Sequence, residues 1–216
     1  MQSQIRQIVA DRFHADTARV ARHRSLGIVF AIGAALASSL AQAAAGVTSV
    51  AGGAMMVNGT LGNTAVSVSN NGTLGGNGTI GGDVTLAPTG IVAPGAATAV
   101  GELDGGAFAW QGGGKIAFQL GTNDAASDHL QFTGSMTRQG AGAFQFQFSD
   151  GATPPTPGTT YTLITFANQS GFSASDFSYA YTGSADALVG QFQVNANALL
   201  FTVISTPVEL QSFDVN

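Results

Sequence analysis

A constant spacing of six residues separates the apolar residues in the first half of this chain. Gly, Asn, Thr, Pro or Ala fills nearly every position between them. A helix would need apolar residues at i+3 and i+4, and a long strand would need them at i+2, so neither explains the spacing. Very short strands do explain it, if each supplies one inward side chain and then ends at a corner. The residues that keep this spacing are Val68, Leu74, Ile80, Leu86 and Val92.

Three such units make one turn of eighteen residues, so we expect Leu86 to lie above Val68 and Val92 above Leu74. A single turn cannot bury its own apolar face, and stability would come from the stacking of neighbouring turns. The spacing therefore predicts an all-β protein built as a β-helix. By itself it allows the left-handed hexapeptide β-helix as well as a right-handed form.

The pentapeptide Asn-Gly-Thr-Leu/Ile-Gly makes the repeat explicit, at residues 58–62, 71–75 and 77–81. Asn-Gly suits a corner because it supplies positive φ at little cost, and Thr followed by Leu or Ile favours the start of a strand. Each Asn-Gly-Thr also matches the acceptor sequence for N-glycosylation, as do residues 168–170. Turn formation explains these residues more simply.

The run NGTLGGNGTIGGDVTLAPTGIVAPG, residues 71–95, resembles the strand repeats of autotransporter passenger domains, the exported parts of type V secretion proteins. The resemblance is clearest over residues 57–95 and continues less closely to residue 204. It implies a right-handed parallel β-helix at the outer surface of a Gram-negative cell. We therefore expect Gly-rich β-helix rungs over residues 44–100, and wider rungs with a cap over residues 101–206.

Longer strands with regular alternation are predicted after residue 101. Ile116, Phe118 and Leu120 share one face of Lys115–Leu120, and Phe alternates with Gln over residues 144–148. The proline-rich segment 151–158 is predicted to be a surface loop, because its prolines cannot donate to a strand ladder. The GTxDxxSDxL turn and the later GTTYTLI strand also resemble the C-terminal part of passenger domains. Further strands are predicted at 161–166, 177–181, 188–194 and 199–204.

Residues 1–43 are typical of a signal peptide. A basic leader with five arginines precedes an apolar run at 26–40, and Ala-Gln-Ala at 41–43 is a small-residue cleavage sequence. The apolar run is short for a membrane span, although an uncleaved anchor or an amphipathic helix is the alternative interpretation. We expect an exported protein whose mature chain begins at Ala44 and has no membrane span.

Removal of the leader leaves a strongly acidic chain. The whole sequence carries −5, and the leader contributes +3 from five Arg and two Asp, so the remainder carries −5 − 3 = −8. Its only cations are Lys115 and Arg138. Such a chain cannot neutralise phosphates, so nucleic acids and anionic membrane surfaces are not expected as partners. Cysteine is absent, which removes disulfides and thiolate sites.

The sequence departs from the autotransporter pattern at its end. A complete autotransporter continues into a translocating β-barrel, and residues 207–216 are too short to form one and lack a terminal aromatic residue. We expect a passenger-like protein without its own translocator barrel, with residues 207–216 as a tail. A separate outer-membrane component would then serve as a partner.

Ser127, Asp128 and His129 are the residue types of a hydrolase triad, and His129 is the only histidine after the leader. Neighbouring residues of a strand point to opposite faces, so adjacency in sequence does not bring the three groups together. A turn, in which Asp128 caps a loop before a strand at 130–132, is the simpler interpretation.

Calcium is a second candidate ligand, since Asn123, Asp124 and Asp128 carry suitable oxygens. Calcium takes about six to eight oxygen ligands, often from several carboxylates. The calcium motif of repeat proteins, G-G-x-G-x-D, is not met. The sequence therefore favours turn-forming acids over a metal site.

Glu102 and Asp104 could be the paired carboxylates of a glycosidase, since β-helices host polysaccharide-cleaving enzymes. Closeness in sequence is weak evidence for such a pair, and only Lys115 and Arg138 could assist it as cations. Aromatic residues could also form a sugar-binding platform, namely Trp110, Tyr161, Tyr179, Tyr181 and several Phe. Most of these alternate within predicted strands, which favours packing in the core.

The sequence favours an exported β-helical surface or secreted protein with a structural or adhesive role, which would bind a surface glycan or a protein. We assign it no catalytic, cofactor-binding or metal-binding residue. The alternative is a polysaccharide-active enzyme, a lyase or glycosidase, on the same scaffold. A groove with converging acids would favour the enzyme, and flat ladders of Thr, Asn and Gln would favour an adhesin or stalk.

Overall fold

The computed structural model describes residues 46–95, 99–184 and 188–205. The predicted leader at 1–43 and tail at 207–216 lie outside these residues. Two 3-10 helices, η1 (Asp124–Ala126) and η2 (Ala174–Asp176), interrupt a chain of strands. The strands are β1 (Val47–Ala51), β2 (Ala54–Met56), β3 (Thr60–Leu61), β4 (Ala65–Ser69), β5 (Thr73–Gly76), β6 (Thr79–Ile80), β7 (Val84–Leu86), β8 (Ile91–Pro94), β9 (Glu102–Gly105), β10 (Phe108–Gln111), β11 (Lys115–Leu120), β12 (His129–Phe132), β13 (Met136–Gln139), β14 (Phe144–Asp150), β15 (Thr160–Thr165), β16 (Gln169–Ser170), β17 (Phe177–Tyr181), β18 (Val189–Val194) and β19 (Ala198–Ser205).

Successive strands fall on three sheets in rotation. Sheet A contains β1, β4, β7, β10, β13 and β16, sheet B contains β2, β5, β8, β11, β14 and β17, and sheet C contains β3, β6, β9, β12, β15, β19 and β18. From β1 to β14, each strand pairs in parallel with the third strand after it, so one passage through sheets A, B and C is one turn of a coil. Turn 1 is β1–β3, turn 2 is β4–β6, and the later turns are numbered in the same way, with turn 6 beginning at β16. The fold is all-β with parallel sheets, as predicted, and this strand order is consistent with a β-helix.

The predicted register is confirmed. Val68 pairs with Leu86, and Leu74 pairs with Val92. These four residues and Ile80 are at most 1% exposed. Because parallel strands stack in register, each inward side chain packs on its equivalents in the turns above and below.

The interior changes from aliphatic to aromatic along the coil. Residues 46–95 contain no aromatic residue, whereas turn 4 introduces Phe108 and Trp110. The Trp110 ring lies edge-on to Phe144 and Phe146, with centroids 5.4 Å apart in both pairs. The longer strands of the later turns enclose the wider interior that these rings fill, and the alternation predicted for Lys115–Leu120 and for residues 144–148 is confirmed.

The Asn-Gly corners differ from the expectation. Of the three Asn-Gly pairs, only the one at Asn71 has a residue with positive φ, and this residue is Asn71 itself at 60°. Gly72 is required by space instead, because a Cβ there would lie 2.2 Å from the carbonyl oxygen of Val50 in the preceding turn. A Cβ at Gly78 would likewise lie 2.2 Å from the carbonyl oxygen of Gly59. Close stacking of backbones, more than turn conformation, explains glycine at these corners.

Sheet C ends in an antiparallel pair of strands. β19 lies between β15 and β18 and is antiparallel to both. Phe201 lies in the core and Phe192 packs against it, with ring centroids 5.0 Å apart. These two rings cover the aromatic interior of the last turn. Across the residues that the structure describes, no helix is long and apolar enough to span a membrane.

Candidate functional site

The corner that leads from sheet B to sheet C carries long loops. In turn 2 this corner consists of residues 77–78, but in turns 3 to 5 it grows to residues 95–101, 121–128 and 151–159. The corner from sheet A to sheet B stays short through turn 5, for example residues 112–114 in turn 4 and 140–143 in turn 5. Loops that accumulate on one side of a repeat protein often form its binding face. We refer to these stacked loops as the B–C corner.

Asp128 links turn 3 to turn 4 at the B–C corner. Its side chain is 2% exposed, and its two oxygens accept hydrogen bonds from the backbone amides of Gly101 at 2.8 Å and Gln119 at 2.7 Å. Burial raises the pKa of Asp128 to about 7, although the two amides and His129 act to lower it. The Asp128 carboxylate thus joins turns 3 and 4 at a corner where the chain leaves the paired strands. This agrees with the predicted capping role.

Asn123 and Asp124, the other calcium candidates, also bind backbone amides. Asn123 Oδ1 accepts from Ala126 at 3.0 Å and caps η1, and Asp124 Oδ1 accepts from Thr162 in turn 5 at 2.6 Å. Asp124 therefore links turn 4 to turn 5, as Asp128 links it to turn 3. Within the described ranges, His, Cys, Asp and Glu side chains form no group of three or more that could hold a metal ion.

Ser127 and His129 are held by separate partners. Ser127 Oγ donates to the carbonyl oxygen of Asn123 at 2.9 Å and accepts from the amide of Gly121 at 2.9 Å. His129 Nε2 lies 2.9 Å from the carbonyl oxygen of Asp124, a contact that needs the proton on Nε2 because a carbonyl only accepts. The serine hydroxyl and the imidazole are therefore each directed to a backbone carbonyl, which supports the turn interpretation over a triad.

Tyr161 joins the loops of turns 4 and 5. Its side chain is fully buried, and its hydroxyl donates to the carbonyl oxygen of Gly121 at 2.7 Å and accepts from the amide of Thr156 at 3.3 Å. Burial raises the pKa of Tyr161, so the hydroxyl keeps the proton that it donates. In the predicted surface loop 151–158, Pro155 is buried and most of its neighbours are exposed.

Asp150 continues the same pattern into turn 6. It accepts hydrogen bonds from the Tyr181 hydroxyl, from the Ser184 amide at 2.7 Å and from Ser184 Oγ at 2.6 Å. Burial acts to raise the pKa of Asp150, but the bonds from Ser184 and Tyr181 outweigh it and leave the pKa lowered. Sequence reasoning missed this cluster, because its members come together through the parallel pairing of β14 with β17.

Glu102 and Asp104 lie on the outer face of sheet C, with the buried Leu103 between them. Glu102 is in register with His129, and Asp104 Oδ2 accepts from Thr79 Oγ1 at 3.2 Å. Asp104 Oδ1 is buried without a hydrogen-bond partner. Two carboxylates and one imidazole therefore share this outer face, a grouping that sequence reasoning missed because it depends on the register of β9 with β12.

A continuous row of small side chains crosses the outer face of sheet A. Its members occupy equivalent positions of the six paired strands from β1 to β16. Adjacent strands lie about 4.7–4.9 Å apart, so hydroxyl groups repeat at this spacing except where alanine interrupts the row. We refer to it as the hydroxyl ladder, and it consists of Ser49, Ser67, Thr85, Ala109, Thr137 and Ser170.

The aromatic candidates belong mainly to the core. Trp110 and Tyr161 are 0% exposed, so the predicted core packing is confirmed for both. Tyr179 and Tyr181 are partly buried and pack against the core. The Tyr179 hydroxyl donates to the carbonyl oxygen of Leu188 at 2.9 Å, which ties β17 to the start of β18.

The chain matches no family model, and no curated protein sequence matches it. The autotransporter resemblance therefore stays a hypothesis that rests on the residues of the repeat.

Proposed function

We propose that this protein is an exported, right-handed parallel β-helix of the autotransporter-passenger type, with a structural or adhesive role at the cell surface or in secreted form. The observation that supports this role is the B–C corner, where Asp124, Asp128, Asp150 and Tyr161 tie the loops of successive turns together. A surface whose loops are already ordered loses little conformational entropy when it binds a partner. Right-handedness rests on the resemblance of residues 57–95 to passenger repeats.

The use of the acidic side chains supports a role other than catalysis. Asp124 and Asp128 direct their oxygens to backbone amides of neighbouring turns. A general acid or base must instead be within reach of a substrate proton. The hydroxyl ladder of sheet A is the kind of flat, polar, repetitive surface expected of an adhesin or stalk.

A surface glycan or a protein is the proposed ligand, and a separate outer-membrane component would translocate or retain the protein. The exposed residues of loops 121–128 and 151–159 are mainly Thr, Ala, Pro and Asn, without a cation. Hydroxyl and amide side chains supply adaptable hydrogen bonds to such ligands. The corner therefore suits a neutral polar partner better than an anionic one.

Binding to glycan arrays, protein arrays and whole cells tests the adhesive role. Thr122→Arg and Thr153→Arg place a large side chain on exposed positions of the B–C corner, and Ala141→Arg places the same group on the exposed A–B corner. We expect Thr122→Arg and Thr153→Arg to bind at least about tenfold more weakly, a loss of about 1.4 kcal/mol in binding free energy. The control, Ala141→Arg, should bind like the wild type. An adhesive role at this corner is wrong if all three variants bind alike or if the wild type binds nothing.

Export is tested separately by N-terminal sequencing of the protein recovered from the cell surface or medium. Cleavage after residues 41–43 gives a chain that begins at or close to Ala44. Recovered material that begins at Met1 would contradict the signal-peptide assignment.

One observation favours the polysaccharide-cleaving alternative, namely the outer face that Glu102, Asp104 and His129 share. A screen for cleavage of polysaccharides decides it, with Glu102→Gln and Asp104→Asn as variants that keep the side-chain shape. Cleavage by the wild type that either variant abolishes would replace the structural or adhesive role with an enzymatic one.

A further inference from the structure

The two ends of the coil differ in how they are closed. β1, β2 and β3 form the first edge of sheets A, B and C, and no described residue pairs with their free sides. Val47 is 69% and Met56 46% exposed, and Met55 and Leu61 are only partly buried against the core. The antiparallel strands β18 and β19 cover sheet C at the opposite end. In the described part of the chain, the first turn thus has one edge of backbone N–H and C=O groups without a strand partner, together with exposed apolar side chains.

The strands of this open end lack the charged side chains and prolines that usually prevent association. Natural edge strands are protected by charged side chains, proline or bulges. Residues 46–82 contain no Asp, Glu, Lys, Arg or Pro, and Asp83 is the first charged residue after the leader. The acidic residues of the described chain therefore all lie in turns 3 to 6, apart from Asp83, which directly precedes turn 3.

The charge distribution favours contact through this end. Asp83 precedes β7, which lies two strand spacings from β1, or about 10 Å at 4.7–4.9 Å per strand. If the open ends of two copies met, their nearest carboxylates would be about 24 Å apart, against a Debye length of about 8 Å at physiological ionic strength. Any side-by-side arrangement of two copies would instead bring their acidic turns together. Repulsion between like-charged copies is therefore weakest when the open ends meet.

We infer that the open N-terminal end binds a second copy of this chain. A two-fold axis perpendicular to the coil reverses the direction of the strands, so β1 of each copy pairs antiparallel with β1 of the other. We place the pairing between copies in sheet A because its edge strand β1 has five residues, whereas β2 has three and β3 has two. Full overlap then places the middle residue, Ser49, opposite its own equivalent.

Head-to-tail growth is disfavoured because the other end does not match. The last strand of sheet A, β16, has only two residues, and β17, the five-residue last strand of sheet B, would meet only the three residues of β2. The last strand of sheet C, β18, runs antiparallel to its neighbour with a register shift between Val189 and Gly190. The pairing should therefore stop at a dimer. Since the contact involves only the short edges of one turn, we expect the dimer to be reversible.

The inference rests on the proposed export, because only removal of the leader leaves two residues, 44 and 45, before the described chain. The test uses the protein as cells produce it, with its N-terminus determined and its molar mass measured by sedimentation and light scattering over a wide range of concentration. The variants are Ser49→Glu, Ser49→Lys and, as the control, Ser170→Glu. Ser49 and Ser170 are both exposed and stand at opposite ends of the hydroxyl ladder.

We expect the wild type and Ser170→Glu to dimerise alike. Ser49→Glu and Ser49→Lys, each alone, should dimerise about two- to fivefold more weakly, because like charges would face each other across the pair. An equimolar mixture of the Glu and Lys variants should regain the dimer, since only a head-to-head contact brings the two together. Circular dichroism and thermal unfolding confirm that each variant is folded.

A wild type that stays monomeric at every concentration overturns the inference. So does a dimer that Ser170→Glu weakens but Ser49→Glu does not, or a mixture that fails to regain the dimer. A monomeric protein that still carries its leader overturns both this inference and the proposed export. A correctly processed monomer that binds its ligand overturns the dimer alone.

Discussion

Asp128 is the residue whose ionisation should most affect stability. Its pKa is raised to about 7 in the folded protein, from the ordinary value of 3.8. Between these pH values the folded protein holds the proton and the unfolded chain releases it, so this contribution is complete below about pH 4 and is lost as the pH rises through 7. The difference in pKa corresponds to about 4 kcal/mol at most. We expect the free energy of unfolding to fall between pH 5 and 8, measured by urea unfolding.

The control for this pH dependence is Asp128→Asn. Asparagine keeps one acceptor oxygen but presents an NH₂ group to the second backbone amide, which should cost about 1–3 kcal/mol at every pH. The slope between pH 5 and 8 should become shallower, because the titrating group is gone. Asp150 and Asp176 have lowered pKa values, so their contributions are lost only as the pH falls below about 4 and do not enter this window. Equal slopes for the variant and the wild type would refute the assignment to Asp128.

Leu86 is the inward residue whose replacement by a charge should do most damage. It is 0% exposed and lies in register between Val68 and Trp110. Leu86→Asp would bury an unpaired carboxylate between stacked turns and should cost several kcal/mol, enough to unfold a domain of marginal stability. Thr85→Asp introduces the same group one residue away on the outer face and should cost less than about 1 kcal/mol. Protease sensitivity and urea unfolding of both variants check this, and a stable Leu86→Asp protein would mean that the register is wrong.

At the scale of the strands and corners, the repeated Asn-Gly pairs provide a matched comparison. A Cβ at Gly72 would meet the carbonyl oxygen of Val50 at 2.2 Å, whereas a Cβ at Gly59, in the first turn, would meet no atom within 4 Å. Gly72→Ala should therefore destabilise the protein by about 1–3 kcal/mol. Gly59→Ala should be neutral or stabilising by up to about 1 kcal/mol, since it restricts the unfolded chain. Equal losses of unfolding free energy at both positions would show that turn conformation, and not stacking, selects glycine here.

The strands also show how far the sequence could predict the fold. The spacing of Val68, Leu74 and Leu86 predicted both burial and register, because in a stacked coil one inward position per strand determines which residues meet. The hydrogen bonds that join the loops of the B–C corner were not predictable, because Asp128 reaches the amide of Gly101 across an irregular loop and no local sequence pattern indicates a bond between a side chain and a distant backbone amide. The outer face shared by Glu102 and His129 was missed for the same reason. Its geometry depends on the length of the preceding corner, which does not follow the repeat.

Over the whole molecule, the first turns should open more readily than the later ones. Among the described residues, turn 1 is paired on one side only, and residues 46–95 contain no aromatic side chain. Turns 4 to 6 enclose Trp110, Phe146 and Phe201, which bury far more apolar surface per turn. Hydrogen exchange at a concentration where the protein is monomeric should therefore show faster exchange in β1–β3 than in β10–β14. Uniform protection along the coil would mean that it unfolds as one cooperative unit.

The uneven corners show that the length of a surface loop can change while the strands on either side of it keep their places in the sheets. The strands on either side of the B–C corner remain in their sheets whether the corner is residues 77–78 or residues 151–159. Each doubling of loop length adds only about 0.6 kcal/mol of closure entropy, so sequence can be inserted at this edge at small cost to the coil. Loops at this edge can therefore change in length and sequence, and with them the groups that the surface presents, while the strands that carry the loops keep their sequence.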